Sequence, residues 1–249
     1  MREQLTRSGV TPIWVDAVDA KNPTEEQRMA LQELADWGPW GPVTNHAKGC
    51  TLSHFMAYRA LVDSQAPFAC VLEDDVFLAA DLSAWLDDSS WIPERVDLVK
   101  LERWRDNRLL VMLGPPLAKY RGRSVRQLLS KHSGTGGYII SREAAGRALR
   151  AESPNVPIDQ FLFHPNVSRF ARVAHTLQVQ PALVVQGNDP PPTKPAPVAL
   201  QASSPSQPQK KSMRKSLVRA YAELHYVPTH LYHLLIRRAR PERIAWLDS

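Results

Sequence analysis

The sequence predicts an α/β fold, a mostly parallel sheet with helices on its faces. Three observations carry this expectation. Apolar runs of strand length alternate with helix-period patterns through residues 1–188. One of them, Phe68-Ala69-Cys70-Val71-Leu72, is continuously apolar, as a strand buried on both faces would be. A hydrophobic fraction of 43% over 249 residues supplies a sizeable core and excludes disorder throughout.

The elements follow in order. Met1 to Leu5, then Thr6-Arg7-Ser8-Gly9, reads as the end of an amphipathic helix closed by a glycine. Ile13-Trp14-Val15 reads as a short strand and Glu25 to Trp37 as a helix. Leu52, Phe55, Arg59, Leu61 and Val62 mark one side of a second helix, which leads into the strand at Phe68 to Leu72. Val96 to Leu101, Leu109 to Leu113, Gly137 to Ile140 and Leu183 to Val185 are further strands. Ser141 is placed to cap a helix carrying Ala144, Ala145, Ala148 and Leu149, because its side-chain oxygen can accept from unpaired amides of the first turn.

Charge and proline divide the chain. Residues 189–208 hold seven of the 21 prolines and are expected to be an extended linker after a domain of residues 1–188. Residues 209–249 hold nine basic residues against Glu223, Glu242 and Asp248, which accounts for the whole net charge of +6. The body is therefore neutral, and no nucleic acid is expected as a partner. Cys50 and Cys70 are the only cysteines, which excludes a disulfide scaffold and favours a reducing compartment. No run approaches the roughly 20 apolar residues that cross a bilayer.

Glu73-Asp74-Asp75 directly follows the most buried-looking strand. Three adjacent carboxylates repel one another, and a cation or substrate at the carboxyl edge of a sheet relieves that repulsion. Mg²⁺ and Mn²⁺ prefer carboxylate oxygens and bridge to the phosphate oxygens of a nucleotide. The competing reading is a solvated acidic turn.

Four more segments accompany it: Gly49-Cys50-Thr51-Leu52-Ser53-His54, Asp97-Leu98-Val99-Lys100-Leu101, Gly134-Thr135-Gly136-Gly137-Tyr138-Ile139-Ile140-Ser141 and Pro157-Ile158-Asp159-Gln160-Phe161-Leu162. In this order and spacing, from Met1 to about Gln186, the set resembles glycosyltransferase family 25, which includes lipopolysaccharide, lipooligosaccharide and collagen galactosyltransferases. The resemblance implies a GT-A-like, Rossmann-like sheet with flanking helices. It further implies transfer of a hexose, most often galactose, from a UDP-sugar to a glycan or glycolipid acceptor in lipopolysaccharide or lipooligosaccharide biosynthesis. An Asp-x-Asp-like element would hold Mn²⁺ or Mg²⁺ against the donor diphosphate. Carried onto this chain, Asp75 is the principal metal ligand with Glu73, and Asp74 reaches the metal, its waters or the ribose.

Family members are inverting, which implies a base for the acceptor hydroxyl. Asp159 is the candidate, with a plain helix cap as its alternative. His54 is a second candidate, or else a buried histidine bonded to backbone. Gly134, Gly136 and Gly137 would let the backbone approach a sugar or diphosphate, or would pack a strand against a helix. Lys100 would offer positive charge to a phosphate, or stand exposed at a strand end. Family members begin with a strand bearing an Asn-Leu-like segment and arginines; this chain starts past that pattern, so the sheet is expected to lack that first strand.

The tail reads as basic and helical. Met213, Leu217, Ala220, Tyr221 and Leu224 recur at helical spacing, and His230 to Arg240 offers a second short helix after Pro228. Such helices bind anionic membrane surfaces, or pack on the domain. The expected location is the cytoplasm, peripheral on the inner face of the cytoplasmic membrane. Two rival classes stand beside this reading. One is a non-catalytic module on a degenerate glycosyltransferase fold that binds anionic lipid or nucleic acid; the other is a metal-independent glycoside hydrolase.

Overall fold

The computed structural model describes residues 1–39, 41–104, 109–151, 154–187 and 220–248, with residue 222 excepted. The expected linker, the boundary before it and residues 209–219 of the expected tail lie outside the described residues.

Helix α1 (Arg2–Arg7) ends at Ser8, and Gly9 turns away with φ +68°, as the glycine stop predicts. Helix α2 (Glu25–Glu33) begins in a capping box: Thr24 accepts from the Gln27 amide while the Gln27 side chain accepts from the Thr24 amide. A small hairpin of β1 (Trp37–Gly38) and β2 (Gly41–Pro42) precedes α3 (Asn45–Ser64), capped by Thr44. Then come β3 (Phe68–Leu72), β4 (Val76–Leu78), α4 (Leu82–Leu86), β5 (Leu98–Lys100) and β6 (Glu102–Arg103). A hairpin of β7 (Leu110–Tyr120) and β8 (Arg123–Leu128) follows, with its register shifting around Pro116. The chain continues through β9 (Gly137–Ser141), α5 (Arg142–Leu149), α6 (Ile158–Phe163), α7 (Arg169–Val173), β10 (Thr176–Gln180) and β11 (Val184–Gln186). The last described elements are α8 (Val227–Leu235) and β12 (Arg240–Arg243). Ser141 caps α5 by accepting from the Ala144 amide at 3.2 Å, and Ala144, Ala145 and Ala148 are buried, as read from the sequence.

The main sheet has seven strands in the order β12-β7-β8-β10-β5-β9-β3, and a second sheet runs β4-β11-β6. The expectation of mostly parallel order is corrected here: β10 with β5 and β11 with β6 are the parallel pairs, and the other pairings are antiparallel. β9 inserts antiparallel between β3 and β5 from a distant part of the chain, and the β7–β8 hairpin adds antiparallel to the side of β10, so antiparallel partners take places that a parallel sheet would fill through helical crossovers.

Three strands of the main sheet continue into the small one. β3 leads to β4, β5 to β6 and β10 to β11, each after a short break. The chain thus forks along one line, at the carboxyl ends of β3, β5 and β10.

Burial on both faces belongs to the centre of the sheet. Leu98, Tyr138 and Ile140 point to a core shared with α3, α5 and α6, while Val99 and Ile139 point to the core around Trp85 and Trp91. β3 is instead an edge strand among the described residues, and every one of its residues is half-buried. In α3 the buried stripe is Thr51, His54, Tyr58 and Leu61; Arg59, read onto that side, is exposed. Ile13-Trp14-Val15 is not a strand: it runs extended without ladder partners, with Ile13 82% exposed.

The tail also departs from an all-helical reading. α8 stops at Leu235, Arg238 adopts φ +51°, and β12 then pairs antiparallel with Leu110–Leu113 of β7. Pro241 is tolerated because β12 is an edge strand. Ile244 is buried behind it, and buried Arg123 donates to the Leu247 carbonyl at 2.9 Å. No helix of the described residues is long and apolar enough to cross a membrane.

Candidate functional site

The fork brings four separated segments together. Glu73-Asp74-Asp75 spans the break between β3 and β4, and Glu102 opens β6. Gly134-Thr135-Gly136 leads into β9, and Asp159 stands in the first turn of α6.

The tripeptide Gly134-Thr135-Gly136 ties the others to one another. The Gly134 amide donates to Asp159 Oδ2 at 3.4 Å, and the Gly134 carbonyl accepts from Lys100 Nζ. Thr135 Oγ1 donates to Glu73 Oε1 at 2.5 Å. The Gly136 amide donates to Glu102 Oε2 at 3.0 Å, and its carbonyl accepts from the Glu73 amide at 3.0 Å. Glycine is required at both ends. A Cβ on Gly134, where φ is +78°, would sit 2.4 Å from the Trp104 ring and 2.5 Å from Glu102 Oε1; one on Gly136 would sit 2.9 Å from Val76.

Beneath the acidic turn lies a row of hydrogen-bonding rings. The Tyr58 and Tyr138 hydroxyls are 2.6 Å apart, Tyr138 Oη is 2.7 Å from His54 Nδ1, and His54 Nε2 is 3.6 Å from Glu73 Oε1. Burial pushes the Glu73 carboxyl upward, but the His54 ring and the Thr135 hydroxyl outweigh it and hold the group below its usual value. Asp74 is exposed. Asp75 is half-buried, and burial with the charges of Glu73 and Asp74 raises its carboxyl to about 6. Asp159 is also raised, chiefly by burial, against the pull of the Gly134 amide and Lys100.

Lys100 and Glu102 form a fully buried ion pair at 2.7 Å, and the ammonium also lies 4.3 Å over the Phe163 ring. Burial lifts Glu102 to about 7 in spite of Lys100. Its Oε1 has no hydrogen-bond partner among the described residues.

Of the residues read from the sequence, Glu73, Asp159, Gly134, Gly136 and Lys100 therefore share one bonded network, with Asp75 beside it. Lys100 is neither exposed nor facing outward: it supports the glycine tripeptide from inside. Asp159 is not a cap, since Pro157 occupies that place, and its Oδ1 accepts from the adjacent Gln160 amide. His54 lies under the acidic turn with a partner at each ring nitrogen. Gly137 packs against Val184, where a Cβ would sit 2.7 Å from its side chain. Gly49, in the segment before His54, lets α3 approach the Val18 carbonyl, 2.9 Å from where a Cβ would stand.

Sequence reasoning missed Glu102, Thr135 and the Tyr58–Tyr138 pair. The signal for Glu102 was present: Lys100 and Glu102 stand two apart in a strand run, so both face one side, and opposite charges so placed inside an apolar run pair when buried. Among the described residues no group of three or more His, Cys, Asp or Glu side chains is arranged to hold a metal ion. The donor chemistry nonetheless fits a hard divalent cation. Asp75, raised by burial and by the charges of Glu73 and Asp74, and Glu73 are the one or two carboxylates that such an ion would take beside phosphate oxygens.

Comparison with known proteins places these residues in a family. The model of glycosyltransferase family 25, described as LPS biosynthesis protein, matches residues 1–162, a span that contains the acidic turn, the glycine tripeptide and Asp159. A lacto-N-neotetraose biosynthesis glycosyltransferase LgtB of Neisseria meningitidis serogroup A is 32% identical over 191 residues, 72% of this chain and 66% of the relative. LgtE of N. meningitidis serogroup B is 34% identical over 151 residues, 55% of this chain and 50% of the relative. Procollagen galactosyltransferase 1-A of Xenopus laevis is 30% identical over 161 residues, 59% of this chain and 25% of the relative. The chain thus spans half to two thirds of the Neisseria proteins' lengths. With well over half its residues matched, and its bonded carboxylate network inside that match, the chain belongs to glycosyltransferase family 25.

Proposed function

We propose that the chain transfers a hexose, galactose foremost, from a UDP-sugar to a glycan or glycolipid acceptor of lipooligosaccharide type, with inversion and with Mn²⁺ or Mg²⁺ at the acidic turn. One observation carries this reading: Glu73, Glu102 and Asp159, three carboxylates from three segments, are bonded to one glycine tripeptide, beside Asp75, at the carboxyl ends of the strands. The relatives support it, since they include a lipooligosaccharide biosynthesis protein and a procollagen galactosyltransferase.

Asp75 and Glu73 are the residues that would hold the cation, with Asp74 within reach of its waters or the ribose. When bound, the ion supplies charge to a diphosphate leaving group. The protein's own share is orientation. Thr135 and His54 fix the Glu73 carboxylate before substrate arrives, and a preorganised group costs no rearrangement during reaction. Asp159, raised by burial, is suited to take the proton of the acceptor hydroxyl. As that oxygen bonds to the anomeric carbon from the face opposite the diphosphate, the sugar–phosphate bond breaks and UDP leaves with its electron pair. Gly134 and Gly136, having no side chains, let the tripeptide pack against Trp104, Glu102 and Val76 and so hold the carboxylates bonded to it. Lys100 serves this site indirectly, by holding the Gly134 carbonyl. The acceptor's lipid would place the reaction at the inner face of the cytoplasmic membrane.

The test is UDP release from a panel of UDP-sugars, with Mn²⁺ or with EDTA, for the wild type and Asp75→Ala. Release that needs the cation and falls at least about a hundredfold in the variant is expected. Activity surviving both EDTA and the substitution refutes the metal-assisted reading.

A further inference from the structure

Helix α8 is built inside out. Its inward side is polar and aromatic: the Tyr226 hydroxyl before it donates to the Pro165 carbonyl at 3.1 Å, and His230 and His233 are half-buried. Its outward side is aliphatic. Val227, Leu231, Leu234 and Leu235 recur at intervals of four, three and one residues, which places them on one stripe, and each is exposed, Leu235 to 76%. Leu224 before the helix and Ile236 at its end are exposed aliphatic residues as well, to 68% and 66%. Monomeric soluble proteins rarely leave a contiguous aliphatic stripe open to water.

The charges beside the stripe identify its occupant. Arg237, Arg238, Arg240 and Arg243 are exposed, and Lys210, Lys211, Arg214, Lys215 and Arg219 precede the helix in the sequence. Two of the segment's three acidic residues are turned to the body, and the third, Asp248, stands near the end of the chain. Glu223 pairs with Lys131, and Glu242 accepts from Arg126 Nη1 through both oxygens at 2.7 Å. An aliphatic stripe bordered by unneutralised cations is complementary to an anionic bilayer surface rather than to water or to another copy of this basic segment.

We propose that the aliphatic stripe of α8, with Arg237 and Arg238, is the surface on which this protein sits on an anionic lipid bilayer. The inference deepens the functional reading above and rests on it for the lipid-linked acceptor; the contact itself is independent of catalysis. Glu223 and Tyr226 join the segment to Lys131 and Pro165, each close in sequence to the residues around Gly134 and Asp159. A protein held by α8 therefore keeps its carboxylate network in a fixed relation to the membrane plane.

The experiment is flotation of the full chain with vesicles of phosphatidylcholine alone or with about one third phosphatidylglycerol, at low and physiological salt. The wild type is expected to float with the anionic vesicles alone. Leu231→Gln with Leu235→Gln lowers the bound fraction at least about tenfold. Arg237→Gln with Arg238→Gln lowers it about thirtyfold. Both variants alter exposed side chains, so near-UV circular dichroism and transfer to a soluble acceptor stay at wild-type levels. Failure to float, flotation that ignores the leucine substitutions, or a wild-type dimer that those substitutions dissolve overturns the proposal. UDP release with a soluble sugar acceptor is scored in parallel, so a chain that binds vesicles without transferring sugar defeats the enzymatic reading and not this one.

Discussion

Replacing Lys100 by Met tests the buried pair that underlies the site. Both Lys100 and Glu102 are sealed from solvent, with Nζ and Oε2 at 2.7 Å, and Met keeps most of the volume while removing the charge. Removing one partner of a buried pair costs about 3–5 kcal/mol, because the other charge is stranded. Each kcal/mol lowers Tm by about 2–4 °C in a chain of this size, so a loss of about 6–20 °C is expected. The deficit depends on pH. Glu102 already stands at about 7, raised from 4.5 by burial, and loses the cation that opposes burial. An acid raised in the folded state costs nothing below its unfolded value; the cost grows as pH climbs from there to the folded value and is complete above it. The variant should therefore approach wild type near pH 5 and fall furthest behind at pH 8. Adding Glu102→Gln removes the stranded charge yet keeps an acceptor for the Gly136 amide, and should recover at least half the loss at pH 8. Urea unfolding at both pH values is the assay. A Tm loss under about 3 °C, or a double variant no more stable than the single one at pH 8, refutes the reasoning.

Gly134→Ala should lower kcat by about a hundredfold at unchanged secondary structure, because strain at φ +78° and contact with Trp104 shift the tripeptide that orients Glu73 and Asp159; steady-state kinetics and far-UV circular dichroism check it. Buried His164, lowered to about 4 chiefly by burial, stays neutral in the fold while the unfolded chain takes up a proton below about 6.5. Stability conferred by its neutral form is complete above 6.5 and falls by about 2–3 kcal/mol as pH drops toward 4, and His164→Asn should flatten that slope in urea titrations between pH 7 and 5. Arg123→Met should cost about 3–5 kcal/mol, since Asp81 and the Ala182 and Leu247 carbonyls all accept from this buried guanidinium; hydrogen exchange should rise first in β12.

Helices with caps were legible in the sequence because a cap is a local event. Ser141 and the glycine stop at Gly9 need nothing from elsewhere in the chain. Strand positions were legible for the same reason at β5, β9 and β11, but strand direction was not. Whether β9 pairs antiparallel with β5 depends on residues far apart in sequence, and an apolar run is the same in either direction. Phe68 to Leu72 shows the limit. A run apolar at every position predicts burial on both faces, yet β3 lies at the edge and is half-buried throughout. Ile13-Trp14-Val15 has strand-forming residues without a ladder, because β propensity expresses packing on a sheet and no sheet edge reaches it.

The site was legible as a list of segments but not as a network, and the difference has a physical origin. A carboxylate triplet announces itself by charge, whereas the groups that orient it are a hydroxyl and a histidine ring with two phenols behind the ring, all common in proteins. Thr135, Tyr58 and Tyr138 acquire meaning only when the fork of β3, β5 and β10 brings their segments to one level. The same fork explains why burial raises Asp75, Glu102 and Asp159 together: each loses water to the packed segments around it, with the Lys100 ammonium buried beside Glu102. Each raised carboxyl records free energy set against folding. Packing that these groups weaken must be supplied elsewhere, and the two cores on either face of β5 and β9 supply it. Carboxyls raised in this way are relieved by positive charge, the condition that the proposed cation-bridged diphosphate would meet.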